Sequence, residues 1–115
     1  MSPLQVSVLP VGRHALVNLA GELDVASAPT LRQRFVELAS AGQVHVVVDL
    51  AQVDFLDDVG LGVLLGGAMR SRARGGTFAL VCSRPRLLEI LALSGLDRAV
   101  AVHATLESAL AQPPP

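Results

Sequence analysis

The sequence predicts an α/β domain built on a mixed sheet of four or five strands flanked by about four helices. Three observations carry that reading. Leu4, Val6 and Val8 alternate with Gln5 and Ser7, the period of a half-buried strand. Val44-His45-Val46-Val47-Val48-Asp49-Leu50 is a near-continuous β-branched run, which reads as a strand covered on both faces. After an opening hairpin, segments with apolar residues at helical spacing alternate with strand-like runs, the order expected of helices laid on a sheet.

In chain order, Gly12-Arg13 is a turn into a second strand, Ala15 to Ala20, which Gly21 closes. Ser27 is the candidate N-cap of the first helix, with Pro29 in its first turn, where a missing N–H costs nothing. Leu31, Phe35 and Leu38 give that helix one apolar face, and it ends near Gly42. After the Val44–Leu50 strand, Asp54 to Gly60 reads as a loop and Val59 to Arg74 as a helix. Its last turn carries Arg70, Arg72 and Arg74, which complement the helix dipole, and Gly75-Gly76 stops it. Thr77 to Cys82 is a further central strand. Ser83 and Pro85 open a helix that runs to Gly95, a C′ residue. Val100 and Val102 mark a short strand and Thr105 to Ala111 a last helix. The order is β-β-α-β-α-β-α-(β)-α. Residues 1–115 form a single domain with its core over about 4–111, and 112–115 are a Pro-rich tail that cannot continue the helix.

Composition narrows the function. The 115 residues are 51% apolar and 17% charged, enough for a packed core. The formal charge of −1 and the 3% aromatic content offer nucleic acid neither a basic surface nor a stacking platform. The apolar stretch Val59 to Met69 holds four glycines and is much shorter than the roughly 20 residues of a membrane span. Met1-Ser2-Pro3 lacks a signal-peptide layout, so a cytoplasmic location is expected. Cys82 is the single cysteine and excludes an intramolecular disulfide. His14, His45 and His103 lack ligand spacing, so neither metal nor cofactor is expected. His45 reads as a satisfied sheet residue and Cys82 as a small buried hydrophobe, with an intermolecular redox role as its alternative. No nucleophile–base ordering, phosphate loop or dinucleotide fingerprint is present, which argues against an enzyme.

Three segments carry a resemblance. Gly21-Glu22-Leu23-Asp24, followed by Ala28 and Leu31, is the first. The second is Val46-Val47-Val48-Asp49-Leu50 with Val53-Asp54-Phe55-Leu56-Asp57-Asp58-Val59-Gly60-Leu61-Gly62. The third is Gly75-Gly76, the strand to Val81, and Leu93-Ser94-Gly95-Leu96-Asp97. In this order and spacing they resemble a STAS domain of the bacterial anti-sigma-factor-antagonist type. The resemblance implies a single STAS domain and a protein-interaction switch that binds an anti-sigma factor, often a serine kinase with an ATP-binding fold, and so frees a sigma factor. It places the partner-binding switch surface at Asp24, Asp57, Asp58, Val59, Gly60, Leu61 and Gly62.

The sequence departs from that family at the residues that matter most. Phosphorylatable members read Asp-Ser-Ser/Thr-Gly in this loop; here Asp57 matches the Asp, but Asp58 and Val59 occupy the hydroxyl positions. No phosphorylation is expected there. Asp58 either imitates the phosphorylated state, with one charge against about 1.5 to 2, or marks a partner that accepts an acidic loop. Both aspartates also suit helix capping, which stabilises by about 0.5–2 kcal/mol. Gly60, Gly62, Gly66 and Gly67 share one helix; close packing on the sheet and a bare surface for a partner are both expected, with Gly62 on the partner side. Asp24 is a turn or N-cap residue that the resemblance moves beside the switch loop. Asp49, at the end of a buried strand, must be hydrogen-bonded or near the surface. Two rival functions remain: an accessory STAS subunit of a lipid ABC-type transporter, and a domain that senses a small molecule.

Overall fold

The computed structural model describes residues 2–111. The expected tail at 112–115 lies outside the described residues. Five strands form one sheet: β1 (Gln5–Val11), β2 (His14–Leu23), β3 (His45–Leu56), β4 (Thr77–Val81) and β5 (Ala101–His103). Their order across the sheet is their order along the chain, β1-β2-β3-β4-β5. The β1–β2 hairpin is antiparallel and turns at Gly12, whose φ of 59° suits a residue without Cβ. The other three pairings are parallel, so each needs a crossover. Helices α1 (Ala28–Ser40) and α2 (Asp58–Ala73) supply the first two, and α3 (Pro85–Ser94) with the single turn α4 (Leu96–Ala99) the third. Helix α5 (Leu106–Leu110) follows β5.

Strand alternation divides the apolar residues into two cores. Val46, Val48 and Leu50 face the main core with Leu31 and Phe35 of α1, Leu64 and Ala68 of α2, and Leu87 and Leu91 of α3. Val47 faces the other way and packs with Leu16, Val81 and Ala109 in a smaller cluster under α5. The Val44–Leu50 run is therefore covered on both faces, as its composition predicts. The Phe35 and Phe78 rings meet edge to face, with centroids 5.7 Å apart, and tie α1 to β4.

Four local expectations need correction. β2 does not close at Gly21 but continues to Leu23, and β3 continues to Leu56, so Asp54–Leu56 is strand and not loop. The pair Gly21↔Val53 through Leu23↔Leu56 extends beyond the end of β4. The ladder shifts register there: β3 carries an extra residue at Asp54, between the pairs Gly21↔Val53 and Glu22↔Phe55, so Asp54 and Phe55 are both exposed and the apolar period changes phase. Helix α2 starts at Asp58, one residue earlier than expected, and ends at Ala73. Ser27 precedes α1 but its side chain does not cap it; the hydroxyl serves the preceding loop. Finally, α4 raises the count to five helices, because Gly95 at φ 81° ends α3 and starts a new turn at once.

Candidate functional site

The overrun of β2 and β3 places two loops side by side at one end of the sheet. Asp24 follows β2 and Asp57 follows β3, and the Asp57 N–H donates to the Leu23 carbonyl (3.3 Å). Asp57 joins the two loops through its carboxylate. Oδ1 accepts from the Gly60 N–H (2.9 Å) and so caps α2, while Oδ2 accepts from the Val25 N–H (3.0 Å). The capping role expected of the acidic pair belongs to Asp57 alone.

The Asp24 loop is held from within. Asp24 Oδ1 accepts from the N–H groups of Ala26 and Ser27, both at 3.0 Å, the pattern of an Asx turn. Ser27 Oγ donates to the Glu22 carbonyl (2.8 Å) and accepts from the Asp24 N–H (3.0 Å). Pro3 lies over Gly21, where an added Cβ would stand 2.3 Å from the Pro3 carbonyl oxygen. The Glu22 N–H then donates to the Ser2 carbonyl (3.1 Å), so the first residues brace this loop from behind. On the other flank, the Arg84 guanidinium donates to the Val53 carbonyl (3.0 Å), fixing the start of α3 to the β3 extension.

Exposed on this end are the carboxylates of Asp54 and Asp58 and several apolar side chains. Asp58 sits in the first turn of α2, where the helix dipole favours its charge, and makes no hydrogen bond among the described residues. Beside it Val59 is 44% and Val25 66% exposed. The helix glycines divide by face. A Cβ on Gly60 would meet the Leu23 carbonyl at 2.7 Å, and one on Gly67 the Phe35 ring at 2.7 Å. On Gly62 it would meet nothing within 4 Å. Leu61 is half-buried and lines, with Gly62, Leu65, Gly95, Leu96 and Ala99, a shallow groove of about 170 Å³ between α2 and α4.

All seven predicted site residues thus lie at the N-terminal end of α2 or in the loop beside it, with Gly60 buried and structural. Sequence reasoning missed Val25, Phe55, Leu65 and Met69, all exposed apolar residues. For Met69 the signal was available, since it is neither three nor four residues from Leu64 or Ala68.

The remaining titratable candidates sit elsewhere. Asp49 lies within β3 and not at its end as expected, opposite the last paired residue of β4, and accepts from the Ala51 N–H (2.9 Å). His45 pairs with Thr77 across β3 and β4 (3.1 Å), at the opposite end of the sheet, and burial aided by Arg13 and His14 holds its pKa below the usual value. Burial pushes the Cys82 thiol up, which leaves it a poor nucleophile. No group of three His, Cys, Asp or Glu able to hold a metal occurs among the described residues. No helix among them is long and apolar enough to cross a membrane.

Comparison with known proteins gives a consistent result. The STAS domain profile matches residues 5–109. The chain is 36% identical to the anti-sigma-B factor antagonist of Bacillus subtilis, over 79% of this chain and 83% of that protein. It is 31% identical to the anti-sigma F factor antagonist of Paenibacillus polymyxa, over 84% of each. The crystal structure of an anti-sigma factor antagonist from Mycobacterium paratuberculosis superposes with a TM-score of 0.86 at 29% identity, covering 94% of this chain and 92% of that one.

Proposed function

This chain belongs to the STAS domain family, and from that premise we propose that it antagonises an anti-sigma factor by binding it at the end of the sheet. The contact surface is the Asp24–Ala26 loop together with Asp58, Val59, Leu61 and Gly62. The role is recognition, without catalysis, and such a partner places the protein in the cytoplasm. The partner class is the serine-kinase type with an ATP-binding fold.

The observation that carries this reading is the division of labour between the two aspartates. Asp57 spends both carboxylate oxygens on the fold. Asp58 spends neither on it among the described residues, and it is exposed, as are Val25 and Val59. A carboxylate covered by a partner without a cation opposite it would cost several kcal/mol. The partner therefore presents Arg or Lys to Asp58. With no hydroxyl at 58 or 59, release does not proceed by phosphorylation of this loop.

Calorimetric titration of the anti-sigma factor with wild type, Asp58→Asn and Asp58→Ser tests this. Asp58→Asn should weaken binding about tenfold or more, the usual effect of breaking a covered ion pair. If Asp58→Ser instead binds where wild type does not, Asp58 acts as a fixed imitation of phosphoserine and the cation-bearing partner is excluded.

A further inference from the structure

The outward face of α2 matches itself. At about 100° per residue, Asp58, Gly62, Leu65, Met69 and Arg72 fall on one line. Opposite them Gly60, Leu64, Gly67, Ala68 and Ser71 are buried against the fold. All five members of the line are exposed, Met69 at 62%. The line begins with a carboxylate and ends with a guanidinium, about 21 Å apart at 1.5 Å per residue. Leu65 stands seven residues from each.

A row with opposite charges at equal distances from a central apolar residue is complementary to its own copy turned by half a turn about that centre. A second copy laid antiparallel would set its Arg72 against Asp58 and its Leu65 against Leu65. Its Met69 would lie over Gly62, where nothing stands within 4 Å of an added Cβ and two helices can approach closely. Arg72 gives one N–H to the Ala99 carbonyl, which holds its side chain on the surface and leaves other donors free.

We propose that α2 pairs with α2 of a second copy in an antiparallel, isologous contact, and that this homodimer and the partner complex exclude each other. The pairing follows from the helix face alone. The exclusion rests on the function proposed above, since both contacts would cover Asp58 and Gly62. One helix pair buries less than the roughly 1,200 Å² of stable interfaces, so the dimer is weak and yields to a tighter partner.

Sedimentation equilibrium of the full chain without partner, up to about 1 mM, tests the pairing. Wild type should show reversible monomer–dimer exchange. Asp58→Arg and Arg72→Asp should each raise the dissociation constant about tenfold or more, and the double exchange should restore it. Circular dichroism establishes that each variant is folded. As a second measurement, Leu65→Cys should cross-link to itself through a short bis-maleimide, while buried Cys82 stays silent. A wild type that stays monomeric overturns the pairing, as does a dimer indifferent to the single exchanges or one that the double exchange fails to recover. If the dimer forms and the anti-sigma factor binds it without dissociating it, the exclusion falls. If the dimer forms and no anti-sigma factor binds, the proposed function fails while the pairing stands.

Discussion

Helix α2 carries glycine on both of its sides, and the two sides need it for opposite reasons. Toward the fold, Gly60 and Gly67 are places where a single carbon has no room, because the Leu23 carbonyl and the Phe35 ring already stand there. Toward solvent, Gly62 has open space, and its missing side chain serves nothing inside the molecule. Each glycine lowers helix propensity by about 1 kcal/mol against alanine. On the inner side that loss is offset by closer packing of the helix on the sheet. On the outer side no internal contact offsets it, which is why the outer face reads as a surface kept for another molecule.

Substitution can break this contrast at several strengths. Gly60→Ala should be the most damaging, destabilising by about 3 kcal/mol, because the obstructing atom is backbone and cannot rotate away. Thermal or urea unfolding would read it; a loss under 1 kcal/mol would mean that α2 can lift off the strand end. Gly67→Ala should cost about 2 kcal/mol, less than Gly60→Ala, since aromatic rings can shift by a few tenths of an ångström. Asp57→Ala removes the cap and the tie to Val25 together and should cost about 1–2 kcal/mol. Amide exchange should show Val25 and Gly60 losing protection in that variant before the rest of the sheet does.

Gly62→Ala has the opposite sign. It should raise stability by up to about 1 kcal/mol while weakening any contact made over that face, a separation no inner glycine can show. The smallest effect lies outside the helix and serves as its control. His45 stays neutral to lower pH in the folded chain than its ordinary 6.5. Above that value the group is neutral in both states and its contribution is complete. As pH falls through 6.5 the unfolded chain takes up the proton first, so stability is lost on acidification. His45→Asn should flatten that slope, and the slope should be identical in the Gly62→Ala background.

The same contrast shows where sequence reading works. Strand alternation, the hairpin at Gly12 and the helix stops at Gly75 and Gly95 are local signals, and they place the fold. Asp24, Asp57 and Asp58 were assigned to one surface, and the chain brings them to one end of the sheet. The β2 and β3 overrun was not legible, because the register shift at Asp54 changes the phase of the apolar period between Val53 and Leu56. Which glycine faces inward also depends on what lies above it, and the positions of Leu23 and Phe35 are not written next to Gly60 and Gly67. Val25 looks like a core residue by type; only tertiary packing shows that it remains outside the core.

Because strand order in the sheet repeats strand order in the chain, the fold suits vectorial synthesis. Each strand leaving the ribosome finds its neighbour already in place, and none must wait for a later strand to fill a gap between earlier ones. Residues 24–62, which hold the proposed recognition surface, are made before β4 brings Phe78 under α2. A chain truncated at Gly76 would therefore carry both loops on a helix that is not yet seated on Phe78.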